Sequence, residues 1–381
     1  MRLGVNARRL QGQRLGVGRY LEYLLKHWDR ILDPDDTVDL FVRAPFSVDE
    51  LGLSPRFRVH LLRPALTGIA WETVHLSRQY RCLDVLFCPN YTAPIGYRGR
   101  CVVATHSVNE IQTGAHPWWY THTYSRLYRY SARMADRVIV PASSTLRDVA
   151  AYYGVQESKI DIVEQGADAA FQPSEDSALA SETRRRLFGA DIPYVLFVGK
   201  LSARRNIPGL IEAFGLMKSQ TRLPHKLLLV GPNHQALPLS TLAAKFNVQD
   251  DVVQIDGRFQ SHVEIVPIYS AADVFVHPSL YEGFSMTTVE ALSCGVPVIA
   301  ANRGGLGEVA SGYARMVDNP EPHDLAAALT EVLTDPALRD TLRAKSRARG
   351  SHFRWENTAR KTLAILRRVA TDTTDEQAGA A

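Results

Sequence analysis

The chain has 381 residues, 45% of them hydrophobic and 22% charged, an ordinary globular composition with room for two domains at roughly 150 residues each. A net charge of +4 with all 12 histidines neutral is too mild for a nucleic-acid binder, which needs a dense basic face. The four cysteines Cys82, Cys88, Cys101 and Cys294 form no CxxC pair and no His/Cys set with zinc spacing, which reads as reduced thiols. The opening MRLGVNARRLQG lacks the apolar core of a signal peptide, no apolar run is long enough to predict a membrane span, and no solenoid-period repeat stands out.

In chain order, the first half offers the strands RLGVNA, TVDLFVRA, FRVHLL, DVLFCPN, CVVATH and DRVIVPA. Between them the spacing predicts helices over Val17–Asp29, Ile69–Arg81, Trp118–Met134 and Thr145–Tyr153. The polar, proline-flanked stretch Phe171–Pro193 reads as a linker with a helical piece. The second half offers strands at Tyr194–Leu201, Lys226–Pro232, Val252–Ile255, Asp273–Ser279, Pro297–Ala301 and Ala314–Val317, with helices at Ile207–Lys218 and His262–Ala271. Near-continuous apolar strands separated by helices predict parallel sheets covered on both faces, so the fold class is α/β, with two doubly wound domains in tandem. The amphipathic stretch Phe353–Val369 predicts a late helix, and TDTTDEQAGAA reads as a frayed end.

In such sheets, ligands bind beyond the carboxyl ends of the strands. HPSLYEGFSMTTVEALSCGVPVIA, His277–Ala300, lies beyond one such end. Glu282 falls in its loop and Glu290 in the helix that follows. The free amides of a helix N-terminus favour a phosphate, and Gly283 lets the backbone come close. A carboxylate in the helix suits the vicinal diol of a ribose, and one in the loop suits a sugar hydroxyl. A single nucleotide sugar satisfies all three features. The plainer alternative is a capping box, Thr287-x-x-Glu290, with Glu282 merely solvated. In FVGKLSARRNIPGLIEAF, Lys200, Arg204 and Arg205 read either as neutralisers of a diphosphate or as a solvated basic loop. QGQRLGVGRYLEYLL places Gly16 and Gly18 before a helix. As a dinucleotide fingerprint it fails, because Leu21 stands at the third glycine. His106 closes the strand of CVVATHSVNEI. In HPWWYTHTYSRLYRYSARMADR, Tyr120, Tyr124 and Leu127 share a helical face interleaved with Arg126, Arg129 and Arg133. That face reads either as an acceptor or anionic-lipid platform or as a helix packed on its sheet with snorkelling arginines.

EGFSMTTVEALSCGVPVIA resembles the E-x7-E signature of retaining glycosyltransferases of family four, which have the GT-B fold. GGLGEV and GYARMVDNPEPHDLAAAL are similar to that family's continuation, and the resemblance spans nearly the whole chain. It implies two Rossmann-like domains facing across a cleft. Residues 1–172 would form the acceptor-side domain, completed by a helix at about 356–370 that crosses back, with Trp355 packed at the crossing. Residues 190–355 would form the nucleotide-sugar domain, and 371–381 a flexible tail. By the same resemblance Glu290 binds the donor ribose, and Glu282 contacts the donor sugar near the reacting centre. The backbone at Gly283, Phe284, Ser285, Met286 and Thr287 holds hydroxyls and phosphate. Lys200 and Arg205 face the diphosphate, with lysine and arginine exchanged relative to the family's order, and Arg204 is the lesser contact. Gly16 and Gly18 lie against the phosphates. His106 touches the donor sugar, although Ser107 replaces the family's aspartate and Asn109 or Glu110 would have to stand in for it.

The implied activity is transfer of a hexosyl group, mannose-like in preference to glucose, from a nucleoside diphosphate sugar to an acceptor hydroxyl with retention. The expected donor is of the GDP-mannose or UDP-glucose type. The expected acceptor is a glycan or lipid-linked glycan, in polysaccharide or glycolipid assembly. No cofactor, metal or nucleic acid is expected, and the location would be cytoplasmic, peripheral at the inner membrane face. The rival readings are a non-catalytic nucleotide-sugar-binding protein and a sugar-nucleotide epimerase of the same fold.

Overall fold

The computed structural model describes residues 1–12, 14, 16–66, 68–111, 118–257, 259 and 261–372. The glycine loop at positions 13 and 15, the aromatic–basic segment at 116–117 with the side chain of Tyr120, and the tail from 373 lie outside the described residues. Two compact units are present: Met1–Gln165 joined by the stretch from Trp355 onward, and Gly166–Arg354. Among the described residues no helix is long and apolar enough to cross a membrane.

The first unit is built on the strands β1 (Arg2–Asn6), β2 (Thr37–Val42), β3 (Phe57–Leu61), β4 (Val85–Cys88), β5 (Cys101–Ala104), β6 (Arg137–Val140) and β7 (Ile160–Ile162). They pair in parallel in the order β3-β2-β1-β4-β5-β6-β7. The central strands β4 and β5 are buried throughout, as expected of a sheet covered on both faces. The helix Val17–Ile31 turns Tyr20, Leu21, Leu24, Leu25 and Trp28 inward at helical spacing. Leu21, the residue that spoils the dinucleotide fingerprint, is thus a core residue. The last helix, Trp355–Thr371, packs on this one: Trp28 Nε1 donates to the Ala359 carbonyl at 3.0 Å, and Trp355 stacks on Tyr23 with ring centres 5.0 Å apart.

The second unit contains β8 (Tyr194–Val198), β9 (Lys226–Val230), β10 (Val252–Ile255), β11 (Val274–His277), β12 (Val298–Ala301) and β13 (Arg315–Val317). These are parallel in the order β10-β9-β8-β11-β12-β13. Phe197 of β8 and Leu210 and Phe214 of the helix Ile207–Gln220 are fully buried in its core. The two doubly wound α/β layers expected from the alternation are therefore present.

Local departures have local causes. The helix expected over Ile69–Arg81 ends at Val74 and resumes as a 3₁₀ turn from Leu76 to Cys82. Thr73 and Val74 are β-branched, and the Ser77 hydroxyl bonds back to the Thr73 carbonyl. The helix expected at Thr145–Tyr153 starts at Ser143 and widens to a π-turn over Val149–Tyr153, ending on left-handed Gly154. In the stretch read as a linker, Asp176 caps the helix Ser177–Phe188 by accepting from the Leu179 amide at 2.9 Å. The strand β7 and the helices Leu239–Lys245 and Gly304–Ala310 have no counterpart in the sequence reading. All four cysteines are free thiols, with Cys88 and Cys101 4.0 Å apart at sulfur.

Replacing Trp28 by Ala is expected to cost about 3–5 kcal/mol. Trp28→Phe keeps most of the volume but loses the indole hydrogen bond to the Ala359 carbonyl, for a smaller loss of about 0.5–1.5 kcal/mol. Denaturant titration of the two variants should give this order, and equal stabilities would show that Trp28 is not a packing anchor.

Candidate active site

In the second unit the strand order reverses between β8 and β11. Helices leaving the two strands go to opposite faces, so a crevice opens at their carboxyl ends. One loop into that crevice is Gly199–Asn206, the other runs from 278 to Ser285. The first depends on two glycines. A Cβ on Gly231, just after β9, would lie 2.1 Å from the Gly199 carbonyl oxygen, and one on Gly199 would lie 2.0 Å from an Arg205 terminal nitrogen. The missing side chains let the strand ends close up and let Arg205 lie across Gly199.

Glu282 is the focus of the second loop. Its Oε1 accepts from Arg205 Nε at 3.2 Å and from the Ser279 hydroxyl at 3.3 Å. It also faces an Arg204 terminal nitrogen at 3.3 Å and His277 Nε2 at 3.6 Å. Burial alone would raise the carboxyl pKa, but Arg204, Arg205 and His277 outweigh it and hold Glu282 well below the usual carboxylate range. Burial lowers the pKa of Arg205 and Glu282 works against that. The bland alternative of a merely solvated Glu282 therefore does not hold, since its side chain is 13% exposed and ion-paired. Arg204 also donates to the Tyr281 carbonyl, so it shapes the loop. Lys200 is exposed, and its carbonyl faces Arg205 at 3.5 Å.

His277, the last residue of β11, carries no role in the sequence reading. It is 1% exposed, and its Nδ1 meets the hydroxyls of Ser285 and Thr288 at 2.8 and 2.9 Å. Burial lowers its pKa, so the ring is neutral near pH 7. In the tautomer with Nδ1 accepting from one of these hydroxyls, Nε2 carries the hydrogen and faces Glu282 at 3.6 Å. The signal for it was available: a histidine ending an apolar strand immediately before the glutamate loop.

The helix Met286–Ser293 starts at Ser285, held at φ 96, whose side chain accepts from the Thr288 amide at 3.3 Å. The capping box Thr287-x-x-Glu290 is therefore not what forms; Ser285 is the cap. Glu290 instead reaches His262 Nε2 at 2.8 Å and the Tyr269 hydroxyl at 2.9 Å and is 4% exposed. Gly283 and Ser285 are buried, Met286 and Thr287 half-buried. Phe284 points its ring at Phe353, 5.8 Å away, so only its backbone is available to a ligand. Behind this loop, the Gly305 amide donates to the Glu282 carbonyl at 2.9 Å. A Cβ on Gly305 would sit 2.1 Å from the Gly283 carbonyl oxygen, which explains why GGLGEV follows the motif.

Gly16, Gly18 and His106 all belong to the first unit. Gly16 is left-handed at φ 45, and a Cβ on Gly18 would come within 2.7 Å of the Arg9 carbonyl oxygen. His106 packs edge-on against Tyr20 at 4.7 Å. Its Nε2 donates to the Pro89 carbonyl at 2.8 Å, and its Nδ1 accepts from the Gln165 amide at 2.9 Å. Both ring nitrogens are thus engaged. Ser107 meets the Tyr91 hydroxyl at 3.1 Å. Glu110 accepts from Tyr153 and is 2% exposed, so it is tied inward and does not stand in for the aspartate at 107. Among the described residues no group of three or more His, Cys, Asp and Glu side chains could hold a metal ion.

Comparison with known proteins bears on the family and the fold. Residues 15–171 match the family described as Glycosyltransferase Family 4, and residues 181–349 the family described as Glycosyl transferases group 1. O-antigen chain mannosyltransferase B of Escherichia coli is 32% identical over 45% of this chain and 44% of its own length. D-inositol 3-phosphate glycosyltransferase of Kineococcus radiotolerans is 30% identical over 64% of this chain and 59% of its own. The chain thus spans about half the length of the curated relatives it matches. Sucrose-phosphate synthase of Thermosynechococcus elongatus superposes with a TM-score of 0.79 at 21% identity, covering 98% of this chain and 100% of that one. Anabaena HepE, solved with UDP-glucose, superposes at 0.77 and 18% identity, covering 96% and 99%. The likeness establishes a GT-B-type α/β fold.

Burial pushes the His106 pKa down from 6.5 to about 4. The unfolded chain therefore takes up this proton first as pH falls. Its contribution to stability is fully present above 6.5, declines as pH drops from there toward 4, and is level below. Denaturant unfolding at about pH 7 and about pH 5 should show a smaller acid loss in His106→Asn than in wild type. An unchanged loss would mean that His106 does not titrate in this window.

Proposed function

The chain belongs to the glycosyltransferases of group 1 and family 4, and on that premise we propose that it moves a hexosyl group from a nucleoside diphosphate sugar to an acceptor hydroxyl, with retention of configuration. The observation that carries this reading is the Glu282–Arg205 pair at the strand-order reversal, beside the N-terminus of a helix that also holds Glu290. The transition state of such a transfer has oxocarbenium character, and the departing diphosphate gains negative charge. Preorganised donors aimed at that charge give the largest catalytic contribution. Arg205, Lys200 and the first-turn amides of the helix are those donors.

Without a donor, Arg205 is held by Glu282. An incoming diphosphate competes for the guanidinium and releases a carboxylate oxygen, which then accepts from a hydroxyl of the donor sugar. His277 keeps Glu282 in place from behind, and its hydroxyl partners tie that contact to the start of the helix. Glu290 accepts from the ribose diol, steadied by His262 and Tyr269. The acceptor oxygen forms the new bond on the face from which the diphosphate leaves, and its proton passes to the leaving phosphate. Arginine and lysine perform the electrostatic work, with no metal ion. Because both nitrogens of His106 are engaged, its contribution is through the ring's position and edge. A mannosyl donor is favoured by the Escherichia coli relative's name, with a UDP-glucose type the other candidate. A glycan or lipid-linked glycan at the inner membrane face is the acceptor in this reading.

Calorimetric titration of UDP, GDP, ADP and dTDP without metal tests the site. One nucleotide should bind wild type in the micromolar range, with affinity reduced roughly 10- to 100-fold in Glu290→Ala, about the size of one lost charged hydrogen bond. Equal affinity in the variant overturns the ribose assignment. Arg205→Ala should lower turnover by roughly two to three orders of magnitude, and Glu282→Ala should lower turnover with little change in nucleotide affinity. Interconversion of the sugar nucleotide without acceptor, or the absence of any transfer, would favour the epimerase or binding-protein readings.

A further inference from the structure

The sheet of the first unit reverses its strand order too, between β1 and β4, and the same rule places a crevice at their carboxyl ends. Arg8 and Arg9 follow β1, and Asn90, Tyr91 and Thr92 follow β4. Below them lies Glu72, 0% exposed. Glu72 Oε1 accepts from Thr92 at 3.0 Å and lies 3.1 Å from an Arg8 terminal nitrogen. One carboxylate is thus matched by one guanidinium, and Arg9 is the second cation. Its Nε donates to Asn90 Oδ1 at 3.1 Å; its terminal amino groups have no partner among the described residues. The residue remains solvent-accessible.

Desolvation of its head and then the Arg8 charge lower the Arg9 pKa, while Tyr128, Tyr91 and Glu72 act the other way. The geometry places Tyr91 beside Arg9: Asn90, which accepts from Arg9, immediately precedes Tyr91 in the chain. Tyr91 sits at φ 63, a left-handed conformation that is unfavourable for a non-glycine residue and clusters at ligand sites. It stacks on Tyr128 with ring centres 5.1 Å apart. An aromatic pair offers a surface to the C–H face of a sugar. An arginine fork with one edge fixed offers two parallel donors to an oxyanion.

We infer that this crevice binds a sugar carrying an oxyanion, phosphate or carboxylate, with the Arg9 fork on the charged group and Tyr91 and Tyr128 on the ring. It deepens the glycosyl-transfer reading, on which it rests for one point: that the bound sugar is the acceptor. Arg9 then sets specificity by charge, because a neutral sugar leaves the fork unpaired.

The test is binding, not turnover. Mannose, mannose 6-phosphate and glucuronate are titrated into wild type and Arg9→Gln, each alone and with saturating nucleoside diphosphate. At least one anionic sugar should bind wild type 10-fold or more tightly than mannose, and Arg9→Gln should remove that advantage at unchanged melting temperature. Which anion binds separates phosphate from carboxylate. Tyr128→Leu should weaken the anionic sugar and leave inorganic phosphate unaffected. Binding of both mannose 6-phosphate and glucuronate no tighter than mannose, undiminished binding in Arg9→Gln, or no sugar binding in wild type overturns the inference. Nucleoside diphosphate titrated separately reports on the other reading: sugar-anion binding without nucleotide binding would sink the proposed donor site and leave this one standing.

Discussion

Everything around the candidate site of the second unit depends on one charge imbalance. Two guanidiniums, Arg204 and Arg205, converge on a single carboxylate, Glu282, with a neutral imidazole at its back. A buried carboxylate facing one cation is a closed pair. Facing two, it leaves a net positive charge that an anion can take up. The arrangement fixes both loops at once, because Arg204 and Arg205 come from the loop after β8 and Glu282 from the loop after β11. The glycines at 199, 231, 304 and 305 are the steric condition for it: each removes a side chain where backbone or guanidinium must come close.

The first unit repeats the theme in a different key. Two arginines again face one carboxylate at a strand-order reversal, but here Arg8 and Glu72 form the closed pair and Arg9 is left over. Aromatic rings replace the helix N-terminus as the second recognition element. A dipole suits a phosphate chain, whereas a ring face suits a sugar. The same topology thus supports two recognition chemistries through the residues at its edge.

What the sequence disclosed follows the strength of the local signals. Apolar runs such as Tyr194–Val198 and helices such as Val17–Ile31 were legible because burial on both faces, or on one helical stripe, leaves a period in the chain. Two prolines, at 322 and 336, open helices that the sequence reading did not single out. The helix Gly304–Ala310 escaped because glycine, poor in helices, is there for close packing. At the site, spacing and charge singled out Glu282, Glu290 and Arg205 but left a capping box and a solvated loop equally open, and only the family resemblance assigned them ligand roles. His262 and Tyr269 were not singled out, because their partner Glu290 lies more than twenty positions away, whereas His277, at the end of an apolar strand five positions before Glu282, left a signal that the sequence reading passed over. Ser285 displaced Thr287 as the cap because its left-handed backbone starts the helix two residues earlier than the capping pattern suggests.

The helix Trp355–Thr371 belongs to the first unit although the whole second unit precedes it in the chain. During synthesis the sheet β1–β7 is therefore finished long before the helix that covers Trp28 and Tyr23 leaves the ribosome. Some 190 residues intervene, which at about 5–20 residues per second is roughly 10–40 s of translation. Over that interval the nascent first unit exposes an aromatic surface with no cover, while the second unit, contiguous in sequence, can complete itself. The domain made first is the one that matures last, and the interval between is when this chain has most need of a chaperone.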